Sequence, residues 1–238
     1  MTLKTFAFIG LLAAAAPSYG QYTFYPNDAT INYTLNSNAV IGYGSYYPWQ
    51  NGHGTASPHV GIIAPASISG WAGASAYSFV TMSGGTVGRL LADDHASLRL
   101  TGGTVLNDFG VGFNTVSEIL GGTVMHGVVV EQNARVTISG GNFSGGYLGG
   151  GVNFILRDHS VATFVGTGIT ATYLYSQFST KYYGLSGTLE DGHSLTGKLL
   201  AIDPNASFQV QVAPEPQSIA AFGVGALALL RRRAKRSK

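Results

Sequence analysis

The sequence contains no cysteine among its 238 residues, and only 10% of those residues carry a formal charge. Without cysteine there are no disulfide bonds and no thiolate metal sites, so stability must come from a well-stacked fold, a bound ion or a partner. A hydrophobic fraction of 45% excludes a disordered polar chain. The 34 glycines, with many threonine, serine, tyrosine and valine residues, favour β-structure over helical bundles.

Positive charge is scarce outside the two ends of the chain. The net charge of +2 comes from 13 basic and 11 acidic residues. Seven of the basic residues are terminal: Lys4, Arg231, Arg232, Arg233, Lys235, Arg236 and Lys238. Removing those seven leaves six basic residues against 11 acidic ones. A body with this negative balance has no basic stripe for phosphate groups, which excludes nucleic acid as a partner.

Recognisable catalytic motifs are also missing. There is no G-x-S-x-G, no H-E-x-x-H and no Walker loop. His53 and His59 in the stretch HGTASPH have a spacing that a metal ion can share, but we expect them to be solvated loop residues. We therefore predict a protein that is not an enzyme, with no catalytic residue, no cofactor and no metal site.

The first twenty residues have the layout of a secretory signal peptide. A lysine precedes an apolar run from Phe6 to Ala16, and small residues follow it. Ser18 and Gly20 suit the −3 and −1 positions, which predicts cleavage between Gly20 and Gln21. Eleven apolar residues span only about 16 Å as a helix, too short for a hydrocarbon core of about 30 Å. The sequence thus predicts export through the Sec machinery.

Residues 78–170 contain an internal repeat. The segments SFVTMSGGTV, SLRLTGGTV, VSEILGGTV and RVTISGGNF place their first glycines at Gly84, Gly102, Gly121 and Gly140, and a degenerate copy places Gly166. The first three intervals are 18, 19 and 19 residues. Apolar residues recur two positions before this glycine and three after it: Met82, Leu100, Ile119, Ile138 and Phe164, then Val87, Val105, Val124, Phe143 and Ile169.

Period-2 alternation interrupted by a Gly-Gly turn is typical of short strands and not of helices. Because one repeat cannot bury its inward face alone, successive repeats must stack about 4.8 Å apart. We predict an all-β fold: a single-stranded right-handed parallel β-helix, or solenoid, with about 18–19 residues per rung. Arg99 and Glu118 share an outward column and should form an ion pair between adjacent rungs.

A polar column lies seven residues before the first glycine of each repeat and contains His95, Asn114, Asn133 and His159. Asn and His suit a left-handed backbone at a turn, and we expect them to form a polar ladder from rung to rung.

Residues 21–77 are interpreted as an N-terminal cap or irregular leading rungs, and residues 171–211 as closing strands. The remaining segment, 212–238, has a different character.

The chain finishes with Pro214, Glu215 and Pro216, an apolar run from Ile219 to Leu230, and the basic cluster Arg231, Arg232, Arg233, Lys235 and Arg236. Twelve apolar residues form about 18 Å of helix, short for a stable membrane span. The basic residues favour the cytoplasmic side, which places the body outside. This arrangement predicts a short C-terminal hydrophobic helix followed by a cytoplasmic tail.

This ordered ending resembles the PEP-CTERM sorting signal of exported bacterial proteins, over about residues 213–238. The resemblance implies recognition by an exosortase, processing near Pro214–Pro216, transient anchorage in the inner membrane, and delivery to the cell surface or extracellular matrix. It also implies exopolysaccharide as a partner. We therefore expect a surface-sorted structural protein of the envelope or exopolysaccharide matrix.

Two alternatives remain open. A glycan-active β-helix enzyme, a lyase or hydrolase, needs carboxylates on one face. Asp93 and Glu131 share a column two rungs apart, about 9.6 Å, near the upper limit for an inverting pair. We interpret these residues as solvated turn positions with no basic group beside them. The other alternative is a carbohydrate-binding adhesin using an aromatic platform of Tyr43, Tyr46, Tyr47 and Trp49.

Overall fold

The computed structural model describes residues 22–25, 29–31, 33–35, 38–41, 58–146 and 151–213. Within these ranges the chain is all-β, with strands and no helix. The strands are β1 (Tyr22–Tyr25), β2 (Ala29–Ile31), β3 (Thr34–Leu35), β4 (Asn38–Ile41), β5 (His59–Ile62), β6 (Ser67–Ala74), β7 (Phe79–Ala92), β8 (Ser97–Val105), β9 (Asp108–Val111), β10 (Val116–Val124), β11 (Gly127–Val130), β12 (Arg135–Phe143), β13 (Val152–Leu156), β14 (Val161–Gln177), β15 (Thr180–Leu189), β16 (Lys198–Ile202) and β17 (Ser207–Val212).

In the described ranges the parallel pairings form three ladders. Ladder A runs through β1, β4, the end of β6, the end of β7, β9, β11, β13 and β16. Ladder B runs through β2, β5 and the first halves of β7, β8, β10, β12 and β14 to β17. Ladder C joins β3 and β6 to the central part of β7 and the ends of β8, β10 and β12. The chain therefore visits the ladders in a recurring order.

The pairing register reproduces the columns expected from the repeat. Leu100 pairs with Met82 and with Ile119, and Ile138 pairs with Ile119 and Phe164. All five side chains are fully buried, and so they form one continuous line in the core. The second apolar column also pairs in register, through Val87, Val105, Val124 and Phe143.

That second column does not continue to Ile169, contrary to the sequence alignment. Beyond Gly166 strand β14 leaves ladder B and pairs antiparallel with β15. The two strands form a hairpin whose tip lies between Gln177 and Thr180. Ile169 is only partly buried against the core. The other edge of β15 pairs antiparallel with β16, so this hairpin covers the last strand of ladder A. Ladders A and B continue in parallel to β16 and β17, whereas ladder C ends at β12, where the chain forms the hairpin.

The left-handed turns expected at the Asn/His column are present. His95, Asn114, Asn133 and His159 have φ between 63° and 64°, and the residue before each also has positive φ. The expected polar ladder is built differently, from backbone and not from side chains. The amide of Asn114 donates to the carbonyl of Gln132 at 3.0 Å, and the neighbouring turns bond in the same way. A left-handed turn points its amide along the stack, which leaves the side chains exposed.

At the corner between ladder B and ladder C, a repeat needs two glycines, each for a different reason. A β-carbon on Gly121 would lie 2.8 Å from the carbonyl oxygen of Thr101 in the preceding repeat. Its neighbour Gly122 has φ of +83°, a conformation that side chains rarely adopt. The Gly-Gly pairs therefore allow close approach of one repeat to the next and turn the chain from ladder B into ladder C.

The sequence predictions at both ends lie outside the described residues. These are the signal peptide with its Gly20–Gln21 cleavage site, the sorting motif at residues 214–216, the basic cluster at residues 231–236 and the C-terminal hydrophobic helix. His53 and the aromatic residues at positions 43, 46, 47 and 49 also lie outside. In the part of the chain that is described, no helix has the length and apolar character to cross a membrane.

Candidate functional site

A groove of about 760 Å³ runs along the outer face of ladder A. Strand alternation places every second side chain of β6, β7, β9 and β11 on this face, and the intervening residues in the core. Gly73, Leu91, Gly110 and Val129 pair in succession and line the groove as one column. All four are half-buried. The groove therefore has an apolar floor that crosses four neighbouring strands.

Two larger side chains lie over glycines in this floor. A β-carbon on Gly73 would overlap the six-membered ring of Trp71, so the indole lies directly over the glycine. A β-carbon on Gly110 would lie 2.8 Å from Cδ2 of Leu91. The half-buried indole of Trp71 thus gives one end of the groove a flat aromatic wall.

Carboxylates line the edge of the groove where ladder A meets its turns. Asp93 and Glu131 both line it, with Gly112 and Gln132 between and beside them. A β-carbon on Gly112 would lie 3.8 Å from Oδ1 of Asp93 and 3.3 Å from Oε1 of Gln132. The glycine therefore leaves an open space between the two acidic positions. The sequence correctly placed Asp93 and Glu131 in one column.

These two carboxylates have different surroundings. Burial raises the pKa of Asp93, with the charge of Asp94 acting in the same direction and a hydrogen bond from the Asp94 amide opposing it. Glu131 instead accepts a hydrogen bond from the Arg157 guanidinium at 2.6 Å. The expectation that no basic group lies beside this pair is therefore wrong, because the turn between β13 and β14 brings Arg157 to the same turn column.

The opposite edge of the groove carries a second ion pair. Nε of Arg89 lies 3.4 Å from Oδ2 of Asp108. Asp108 is 8% exposed, and its other oxygen, Oδ1, is buried without a hydrogen-bond partner. Buried carboxylate oxygens without a partner are uncommon because their desolvation is costly. Asp108 is therefore an acceptor with unused capacity at the wall of the groove.

Sequence reasoning missed Trp71, Arg89 and Asp108. Each lies thirteen residues before the first glycine of a repeat, at Gly84, Gly102 and Gly121 respectively. The same alignment, extended by four residues beyond the acidic column, would have placed them side by side. Because a tryptophan, an arginine and an aspartate occupy this position in successive repeats, no recurring residue type identified it as a column.

Two other expectations, the Arg99–Glu118 ion pair and the position of His59, concern described residues. The Arg99–Glu118 ion pair is confirmed, with Nε to Oε2 at 3.3 Å and both side chains 47% exposed. Such an exposed pair contributes little to stability. His59, which we expected in a loop, lies instead in strand β5, with its ring centroid 5.4 Å from that of Phe79. No group of three or more potential metal ligands occurs among the described residues.

A separate polar cluster closes the last Gly-Gly corner. Oδ2 of Asp191 accepts a hydrogen bond from the Gly141 amide at 2.6 Å and lies 2.8 Å from Nδ1 of His193. Burial raises the pKa of Asp191, but hydrogen bonds from the His193 and Gly141 amides and the His193 side chain outweigh it and lower that pKa overall. The loop containing Asp191 thus covers a corner that the hairpin leaves without a following repeat.

This cluster predicts an acid-dependent loss of stability. The lowered pKa means that the Asp191 contribution is fully present above its unfolded-state pKa of 3.8 and is lost as pH falls through the folded-state value. Asp191→Asn should cost about 1–2 kcal/mol of unfolding free energy at pH 7 and reduce this acid dependence. Urea unfolding between pH 7 and pH 2 measures both effects. Glu190→Gln, at an exposed neighbouring position, should retain the native profile, and an equal change in both variants would contradict the assignment.

Comparison with protein-family models, with curated proteins and with solved structures finds no match to this chain. Its chemistry therefore has to be inferred from the side chains described above.

Proposed function

We propose that this chain is an exported, surface-sorted structural protein whose body is a single-stranded right-handed parallel β-solenoid. The observation that carries the proposal is the register of the ladders. Repeats 18–19 residues apart pair in register from Met82 to Ile138, the next copy pairs at Phe164, and every member of that column is buried. Stacking of this kind makes a rigid, elongated body whose stability needs no disulfide.

The outer surfaces of ladders B and C fit a structural role. Thr86, Thr104 and Thr123 pair in succession along ladder C and are half-buried. Thr81, Thr137 and Thr163 occupy the outward column of ladder B, together with the Arg99–Glu118 pair. Stacked threonines give a neutral, polar surface without a concentration of reactive groups, which suits a protein that serves as a spacer or matrix component.

The ends of the chain support the destination. The signal peptide directs export, and the Pro214–Pro216 motif, the apolar run and the basic cluster form a sorting signal for an exosortase. Positively charged residues stay on the cytoplasmic side, so the body is held outside the inner membrane until processing releases it to the surface or matrix. The partners in this route are the Sec machinery, the exosortase and the inner membrane, with exopolysaccharide at the destination.

A variant of the sorting motif tests this route. Replacing Pro214, Glu215 and Pro216 together with alanine should leave the chain in the membrane fraction of a host that has an exosortase, while the native chain reaches the surface. Cell fractionation with an antibody to the body measures the distribution. Asn205→Ala, just upstream in an exposed turn, is the control and should reach the surface like the native chain. Equal surface delivery of the triple variant would contradict the proposal.

A glycan-cleaving enzyme is the second candidate, favoured by one observation. Asp93 has a raised pKa and lines the same groove as Glu131, which is paired with Arg157. Divergent environments for two carboxylates are typical of acid and base pairs. Reducing ends released from a polysaccharide by the native chain, and lost in Asp93→Asn, would establish this function. An inactive native chain would leave the structural role.

A further inference from the structure

We propose that strand β17 is a releasable strand that controls C-terminal processing: the chain is cut near Pro214–Pro216 only after β17 has separated from β14. This inference rests on the proposed function, because it names the regulation of the same processing site. Its support comes from the position of that site directly after the sheet, from the pairing of β17 and from the exposure of its side chains.

The sheet continues up to the processing site without a spacer. Val212, the last residue of β17, pairs with Gly166 of β14. The amide of Ala213 donates a hydrogen bond to the carbonyl of Gly166 at 3.0 Å, and Ala213 is buried. Pro214 is the next residue in the sequence. The residues on the N-terminal side of the cut are therefore held in the sheet.

A processing enzyme needs these residues in a different arrangement. An enzyme that cleaves a peptide bond holds the residues on both sides of that bond in its own cleft, so that the reacting atoms are positioned. For a cut near Pro214–Pro216, the preceding residues are Val212 and Ala213. While these two residues lie against β14, one side of their backbone is closed to the enzyme. Pairing with β14 and binding in the cleft are therefore alternatives.

The length of chain between the sheet and the apolar run imposes a second restriction. Five residues, 214–218, separate Ala213 from Ile219, where the apolar run begins. Fully extended, five residues span at most about 18 Å. Under the proposed function, this gap has to admit the enzyme between the body and the membrane. Release of residues 207–213 lengthens the gap to twelve residues, which span at most about 43 Å.

Within the described residues, β17 is paired on one edge only. It lies at the end of ladder B and pairs with β14 alone. The last strand of ladder A is held differently, because β16 pairs with β13 on one edge and with β15 on the other. A strand with a single hydrogen-bonded edge can open locally without breaking any other pairing. The pairing thus allows β17 to leave while the rest of the stack stays intact.

The side chains of β17 add little to its attachment. Five of its six residues are exposed. Val210 pairs with the fully buried Phe164 and continues that apolar column, yet it is 40% exposed, and Val212 is 73% exposed. Phe208 is the exception, because it packs against the core with its ring centroid 5.9 Å from that of Tyr183. Local opening of β17 therefore costs less free energy than unfolding of the body, and Phe208 is its main attachment.

Disulfide staples in the purified full chain test the proposal, because the sequence has no cysteine to interfere. Val165 and Gln211 pair in register near the end of β17. Adjacent strands lie about 4.8 Å apart, within the Cα separation of about 4.4–6.8 Å that a disulfide spans. Val165→Cys with Gln211→Cys therefore locks β17 to β14 when oxidised. Thr137→Cys with Thr163→Cys is the control staple, which locks β12 to β14 and leaves β17 free.

A proline-specific endoprotease that accepts whole proteins is the probe, and mass spectrometry follows the products that end at Pro214 or Pro216. We expect the oxidised β14–β17 staple to slow their formation at least tenfold, since proteolysis follows the population of the open state. Reduction with dithiothreitol should restore the native rate, and the oxidised control staple should be cut at the native rate.

A pair of substitutions on β17 shows whether the whole strand is released or only its last residues fray. Phe208→Ala removes the main attachment and should speed cleavage severalfold. Gln209→Ala, at an exposed position next to it, should leave the rate unchanged. The far-ultraviolet spectrum and melting temperature of every variant show that its body is folded.

The proposal is overturned by either of two results: the oxidised β14–β17 staple is cut at the native rate, or folded Phe208→Ala is cut no faster than the native chain. Because the endoprotease replaces the exosortase in this assay, neither result bears on export or sorting. Conversely, a host with an exosortase that leaves the native chain unprocessed would contradict only the proposed function, since the purified chain still reports the release of β17.

Discussion

Gly122→Val is expected to abolish cooperative folding of the body. The native φ of +83° is strained for any side chain, and most of all for a β-branched one. The added β-carbon would also lie 3.0 Å from the carbonyl oxygen of Gly103 and 3.1 Å from the carbonyl carbon of Gly102. Backbone strain costs about 1–3 kcal/mol, and overpacking adds about 1–3 kcal/mol. The total is comparable to the whole stability of many domains.

A matched glycine shows whether the corner itself is responsible. Gly61 lies in β5 with an ordinary φ, and a β-carbon there would meet only Oγ1 of Thr30, at 3.9 Å. Gly61→Val should therefore change the unfolding free energy by less than about 1 kcal/mol, since valine favours strands. Urea unfolding followed by circular dichroism compares the two variants. A Gly122→Val chain that unfolds like Gly61→Val would show that the stacked corner is wrong.

Phe154→Ala is expected to destabilise the body by about 3–5 kcal/mol. The Phe154 ring is fully buried between two others, with ring centroids 4.8 Å from Phe143 and 5.1 Å from Phe164. These residues come from ladder A, ladder C and ladder B respectively. One truncation therefore leaves a cavity where all three ladders meet.

The control for this cavity is another phenylalanine. Phe178 lies at the tip of the β14–β15 hairpin and is 93% exposed. Phe178→Ala should change the unfolding free energy by less than about 0.5 kcal/mol. Thermal and urea unfolding of both variants measure the difference. A Phe154→Ala variant as stable as Phe178→Ala would contradict a shared core between the ladders.

The repeated part of the fold was predictable because its physical constraints recur. A corner with one backbone approach and one positive φ accepts almost nothing but Gly-Gly, so the pair marks the first four repeats. Alternating burial then fixes the apolar columns on either side, including Leu100 and Val105. The same alignment also placed Arg99 opposite Glu118, as the structure confirms.

The hairpin and the groove were not predictable from the repeat. A strand of 17 residues, β14, changes partners at Gly166 from a parallel to an antiparallel neighbour, and alternation alone is compatible with both. The outward positions of ladder A are under no common packing constraint, so they hold residues as different as Trp71, Arg89 and Asp108. Their proximity depends on three-dimensional register, which only the pairings reveal.

We propose that this all-β chain is exported and sorted by its C-terminal signal. Mass spectrometry of the mature chain, isolated from the surface or matrix of a host with an exosortase, tests it most directly. We expect an N-terminus at Gln21 and a C-terminus close to Pro214–Pro216, before the apolar run. A surface-isolated product that still carries Arg231–Lys238 would contradict processing at the sorting signal.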